Sequence, residues 1–146
     1  MPPLRCCLLL ALLAAAAGQS PAKCGTNRQD VRVDNCGGKI CTLRRGTSTG
    51  ITITFRPDKP HQRLKTKVSG VVFGLEVPFA GVPSNACGSL VQGNCPLQQG
   101  QQYVYRAEIP VHNNYPAIPN VQVRYLLVDA DTNEVVTCAL IRVKIR

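Results

Sequence analysis

The chain has no tryptophan, one methionine and only 5 % aromatic residues. Few aromatic platforms for stacked bases and no recognisable nucleic-acid-binding motif argue against a nucleic-acid partner. No Asn-x-Ser/Thr sequon occurs, so no standard N-glycan is expected. Catalytic signatures are equally scarce. There is no G-x-S-x-G elbow, no H-E-x-x-H pair and no phosphate-cradling glycine loop. The two histidines, His61 and His112, lack neighbours at metal-ligand spacing. Asp129, Asp131 and Asn133 open like a calcium loop, but Glu134 stands where the sixth-position glycine belongs and Leu140 where the closing glutamate belongs. That segment reads as a hairpin turn. Glu76, an acid in an apolar stretch, has no partner for acid–base work and is expected at the surface. The chain reads as a non-enzyme without metal or cofactor.

Long apolar runs are also missing, with one exception. Leu8–Leu13 and the alanines around it follow Arg5 and lead into the small residues Ala14–Gly18. This is the order of a secretory leader, too short for a convincing membrane span. It assigns 1–18 to a signal peptide and 19–146 to one mature domain, secreted or endolysosomal. Acids are few as well. Without Arg5 the mature chain keeps sixteen cations against eight acids, a net charge of +8. Such a balance favours anionic partners, above all membrane head groups.

Cysteine is plentiful. Beyond the leader stand Cys24, Cys36, Cys41, Cys87, Cys95 and Cys138. An even set in a small exported chain reads as a disulfide framework, and CxxC-type zinc spacing is absent. Six cysteines allow fifteen pairings. The simplest joins Cys36 with Cys41, Cys87 with Cys95 and the two outlying residues with each other. In the chain-entropy model each short bridge stabilises by about 2 kcal/mol and the long one by roughly 4–5 kcal/mol.

Between the cysteines, apolar residues alternate with period two. The rows are Val31 and Val33; the short Lys39–Leu43 piece; Ile51, Ile53 and Phe55; Val68 and Val72 continuing to Val77 and Phe79; Tyr103 through Val111; Val121 through Leu127; and Ile141, Val143 and Ile145. About seven strands in one all-β domain predict an antiparallel two-sheet sandwich. Two loops stand out. Arg56, Lys59, Arg63, Lys65 and Lys67 crowd 56–67 around one acid, Asp58, which suggests a docking surface for anionic lipid. Residues 77–95 carry Pro78, Phe79, Val82 and Leu90, apolar for a loop, which suits the lip of a cavity.

Taken in order, Cys24-Gly25, Cys36…Cys41, Ile53-Thr54-Phe55, Val77-Pro78-Phe79, Cys87…Cys95-Pro96-Leu97, Gly100, Tyr103, Tyr105, Ile109-Pro110-Val111, Tyr115-Pro116 and Cys138 form a pattern. Over essentially the whole mature chain it resembles the ML lipid-recognition family, with its small soluble sterol-transfer proteins and mite group-two allergens. The resemblance implies an immunoglobulin-like sandwich enclosing an apolar cavity, with bridges Cys24–Cys138, Cys36–Cys41 and Cys87–Cys95. It implies a sterol site whose residues fall on Phe79, Val111 and Tyr115. The inward rows are expected to add Val68, Val72, Val123 and Tyr125 as inner wall, and an amphipathic Tyr115 is expected to hold its hydroxyl at a wet rim.

The sequence also departs from the family. Vertebrate members carry Trp where this chain has Tyr125, and again after the last cysteine, where it has Ala139. The Cys87–Cys95 loop is longer, and the glycan that takes vertebrate members to lysosomes has no sequon here. The function so implied is a monomeric carrier of a sterol or fatty acid that meets anionic membranes and a membrane sterol acceptor protein. The alternative is an innate-immune receptor for lipopolysaccharide or lipoteichoic acid, with the basic loop pairing phosphates.

Overall fold

The computed structural model describes residues 30–146, and the leader and Cys24 lie outside the described residues. Among the described residues nine strands form, in order β1 (Val31–Val33), β2 (Cys41–Leu43), β3 (Thr47–Phe55), β4 (Leu64–Val72), β5 (Leu75–Pro78), β6 (Leu90–Gln92), β7 (Tyr103–Val111), β8 (Ile118–Asp129) and β9 (Val135–Ile145). They make a four-stranded sheet, β1-β3-β7-β6, and a five-stranded sheet, β2-β9-β8-β4-β5. Seven rows become nine strands for local reasons. Phe73 and Gly74 both take positive φ, 49° and 77°, and turn the fourth row back on itself as the β4–β5 hairpin. The three residues of β6 are too few to leave a readable alternation. Every pairing is antiparallel except β2 with β9, where Cys41, Thr42 and Leu43 run parallel to Val143, Lys144 and Ile145.

Inward rows on β3, β7, β8 and β9 are those the alternation marked, whereas Val77, expected in the fourth row, is exposed on the edge strand β5 beyond the hairpin turn. Tyr103, Tyr105, Ala107, Ile109 and Val111 are buried on β7, with Val121, Val123, Tyr125 and Leu127 on β8 and Ile141, Val143 and Ile145 on β9. Ile51, Ile53 and Phe55 complete the four-stranded side in register with Ala107, Tyr105 and Tyr103. The bridges Cys36–Cys41 and Cys87–Cys95 are present with Cα–Cα distances of 5.2 and 5.7 Å. Cys138 is disulfide-bonded too, while the expected partner Cys24 falls outside the described residues.

Register separates two ends of the sandwich. One holds Phe55, Tyr103 and Leu97, with the Phe55 and Tyr103 rings stacked at 5.8 Å. The other holds Leu43, Thr47, Val111, Ile118 and Ile145, where the register partners Thr47–Val111 and Leu43–Ile145 end their pairings.

Candidate functional site

The second end gathers the residues marked by sequence. After β5 the chain stays pinned along the edge of β4. The Phe79 amide donates to the Val68 carbonyl at 2.9 Å, and the Thr66 amide donates to the Ser84 carbonyl at 2.8 Å. A short 3-10 turn, Ala86–Ser89, capped by the Asn85 side chain, then carries the segment into the Cys87–Cys95 bridge. This anchoring holds an apolar loop in place. The Phe79 ring lies over Gly70, where a Cβ would meet both Phe79 and Val121 at 3.0 Å, so any side chain there would press on the ring. On the opposite side the β7–β8 loop folds Tyr115 back, its amide donating to the His112 carbonyl at 3.2 Å. Tyr115 meets Phe79 edge-on at 5.6 Å and His112 edge-on at 5.2 Å.

Val111, at the end of β7, is buried in the core that Phe79 and Tyr115 partly cover. Val68 and Tyr125 face each other in register, as do Gly70 and Val123, while Val72 is half-buried near the hairpin turn. The Tyr115 hydroxyl departs from the expected wet rim. It is buried and has no hydrogen-bond partner among the described residues. The ring contacts with Phe79 and His112 hold the side chain against the core, so its polar tip is shielded from water.

Deeper in, the structure adds a feature the alternation did not reveal. Thr66 of β4, Tyr105 of β7 and Tyr125 of β8 bring their hydroxyls together across the gap between the sheets. Tyr105 and Tyr125 share a hydrogen bond of 2.5 Å, and Thr66 lies 3.3 Å from Tyr105. Burial and this hydrogen bond push the Tyr125 phenol well above its ordinary pKa, so it stays protonated. The signal was three inward-facing hydroxyl residues on separate strands, which only the register could bring together.

At the far end, His61 Nδ1 lies 2.7 Å from an Asp129 carboxylate oxygen, and both side chains are buried. The other Asp129 oxygen accepts from the Asp131 and Thr132 amides at 2.8 and 3.0 Å, closing the β8–β9 turn. His61 and these amides hold the Asp129 carboxyl at about 2, below the ordinary carboxylate range. The expected hairpin turn is therefore also the seat of a buried histidine–carboxylate hydrogen bond. No three potential metal ligands cluster among the described residues.

The basic loop is largely engaged. Lys59 pairs with Glu134 at 2.7 Å, Arg63 pairs with Asp131, and Arg56 donates to the Gly100 carbonyl and Gln102. The acidic β8–β9 turn packs beside this loop and neutralises it. Lys65 and Lys67 instead point outward from β4. There they share the outer face of the five-stranded sheet with Arg124, Arg142 and Lys144, against the one acid Glu76. Adjoining this face, the β4–β5 hairpin exposes Phe73, Leu75 and Val77 at 93, 70 and 50 %. A separate surface groove of about 480 Å³ is lined by Asp34, Thr42, Arg44, Ser48, Glu108 and Arg146. It offers polar walls and does not suit an apolar guest.

The ML-domain profile matches residues 20–145. The chain is 35 % identical over 117 residues to the NPC intracellular cholesterol transporter 2 of Canis lupus familiaris, covering 80 % of this chain and 76 % of that protein. It is 28 % identical to the mite group 2 allergen Tyr p 2 of Tyrophagus putrescentiae, covering 95 and 96 %. The fold is similar to the crystal structure of a Niemann-Pick type C2 protein from Japanese carpenter ant, with a TM-score of 0.71 at 21 % identity, covering 80 % of this chain and 89 % of that one. A two-sheet sandwich with two short disulfide loops, a Phe–Tyr pair at one end and this profile over nearly the whole length agree with the expectation of a non-enzymatic protein: the chain belongs to the ML-domain family.

Proposed function

We propose that the protein is a non-enzymatic lipid carrier that holds a sterol or a long-chain fatty acid between its sheets and releases it to a membrane or an acceptor protein. The observation that carries this reading is the Phe79–Tyr115 end of the sandwich. Phe79 and Tyr115 meet edge-on over an interior lined by apolar rows, and a buried hydroxyl there lacks a partner. An unsatisfied buried hydroxyl costs about 1–3 kcal/mol, which the polar head of a guest would offset. Phe79, Val111 and Tyr115 form the entrance in this reading, and Val68, Val72, Val123 and Tyr125 the wall. Burial of several hundred Å² of guest at about 25 cal/mol per Å² supports sub-micromolar binding after association costs. Membership of a family whose relatives include proteins named cholesterol transporters supports the same class of cargo.

Handover then uses the outer face of the five-stranded sheet. Lys65, Lys67, Arg124, Arg142 and Lys144 attract anionic head groups, while Phe73, Leu75 and Val77 enter the interfacial layer beside the entrance. The leader-like segment before residue 19 supports a secreted or endolysosomal setting. The decisive measurement is native mass spectrometry of the secreted protein with organic extraction of the lipid that co-purifies. An empty protein that takes up neither sterol nor fatty acid would refute the carrier.

A second reading, recognition of microbial glycolipid, draws on the same basic face, whose cations would pair with phosphates. Its binding must weaken as salt screens those exposed charges. Failure of lipopolysaccharide and lipoteichoic acid to bind at low salt would remove it.

A further inference from the structure

The level at which Thr66, Tyr105 and Tyr125 meet carries an imbalance of donors and acceptors. Three hydroxyls supply three O–H donors, and the two contacts among them use two. No further side-chain hydrogen bond reaches these oxygens among the described residues, so one donor and several lone pairs stay open. The residues are 8, 0 and 0 % exposed, so bulk water is not at hand to satisfy them. Two of the neighbouring inward side chains are small. Tyr125 faces Ala139 across the β8–β9 pair, and Ala107 lies two residues beyond Tyr105. Each is the smallest inward-facing side chain of its strand.

The position is deep. Tyr105 lies six residues before Val111 on β7, about 20 Å of strand from the entrance. A sterol or long acyl chain inserted at Phe79 and Tyr115 therefore points its leading end toward these hydroxyls. The inward rows of the described strands hold no Lys or Arg, so a carboxylate arriving there would be buried without a counter-charge, at a prohibitive cost. A neutral oxygen meets no such penalty.

We propose that the Thr66–Tyr105–Tyr125 hydroxyl chain is an inner anchor of the lipid site, built to receive a hydroxyl or carbonyl oxygen at the leading end of the guest. The inference rests on the reading that a lipid lies between the sheets, and it narrows the cargo to lipids oxygenated at the end remote from the head. Side-chain-hydroxylated sterols and ω-hydroxy fatty acids are such molecules. A guest ending in plain hydrocarbon covers the open donor without satisfying it and binds more weakly.

The test compares matched lipids on the delipidated mature protein: cholesterol against 25-hydroxycholesterol, and stearic against 18-hydroxystearic acid, each by competition with a fluorescent lipid probe. The oxygenated partner of at least one pair is expected to bind about tenfold more tightly, the effect of one well-placed neutral hydrogen bond. In Tyr105→Phe and Tyr125→Phe that ratio should fall to about one. Because the ratio is read within each variant, a general loss of stability cancels, and either variant suffices if the other does not fold. Equal affinities within both pairs for the natural protein, or a preference that survives both Phe variants, would overturn the anchor while leaving the carrier intact. Failure of all four lipids to bind would overturn both.

Discussion

At the scale of single residues, Tyr115 is where energy and recognition diverge. Its ring is held by Phe79 and His112, yet its hydroxyl is buried without a partner among the described residues. Tyr115→Phe should therefore raise the melting temperature of the lipid-free protein by about 3–5 °C, corresponding to roughly 1 kcal/mol of relieved desolvation. Tyr115→Ala should lower lipid affinity about tenfold while costing about 1 kcal/mol of stability. Val143→Ala, deep in β9, should instead cost about 2 kcal/mol and leave affinity per folded molecule unchanged. Thermal melts run beside lipid titrations check all three, and a large stability loss with unchanged affinity for Tyr115→Ala would assign that residue to the core. Gly70 gives a complementary probe. A methyl there presses on Phe79 and Val121, but Ala is better tolerated than Gly in a strand interior, so stability should change little while lipid affinity drops.

At the scale of elements, the two hairpins at either side of β4 and β8 do different work. The β8–β9 turn is closed by Asp129, which also pairs with His61 from the preceding basic loop. The folded carboxyl titrates at about 2, below its ordinary value of 3.8. Its stabilisation is thus fully present above that ordinary value and is lost as pH falls through about 2. Asp129→Asn should melt below the natural protein at neutral and mildly acidic pH, with the two curves converging between about pH 4 and 2. A gap that closed already by pH 6 would mean that the ionised Asp129 carboxylate contributes nothing to stability there. The β4–β5 hairpin has the opposite character. Phe73 is almost wholly exposed, so Phe73→Ser should change stability by less than about 0.5 kcal/mol. It should nonetheless slow sterol transfer to vesicles severalfold, and an unchanged transfer rate would show that the hairpin does not meet the bilayer.

At the scale of the whole molecule, charge and covalent staples set the working environment. A net charge of +8 on the mature chain, with a group of cations on one sheet face, should speed transfer to vesicles containing anionic lipid relative to neutral vesicles of the same size. Added salt should shrink that difference, since exposed charges are screened within about 10 Å at 0.1 M. Equal rates at low salt would confine the charge to a role in solubility. The Cys87–Cys95 bridge closes a short loop, and replacing both cysteines by serine should cost about 2 kcal/mol. The loss should be felt first at the entrance, because the same segment carries Phe79 back along β4.

Much of this was legible in the chain alone. Period-two alternation marks which side of each strand meets the core, because successive side chains point to opposite faces whatever the partner strand. It therefore identified the inward rows of β3, β7, β8 and β9, and the ordered motifs carried the family. Alternation says nothing of register or of neighbours distant in sequence. The Thr66–Tyr105–Tyr125 chain needs three strands from two sheets brought to one level. The His61–Asp129 pair joins residues 68 apart. The cations of the basic loop looked free until the acidic turn packed beside Lys59 and Arg63, and the outward rows of β4, β8 and β9 assembled a basic face from single charges scattered along the sequence. Local pattern decided what is buried, since burial follows from the geometry of one strand; the pairing of strands decided which buried and charged groups meet, since that is a property of contacts across the sheets.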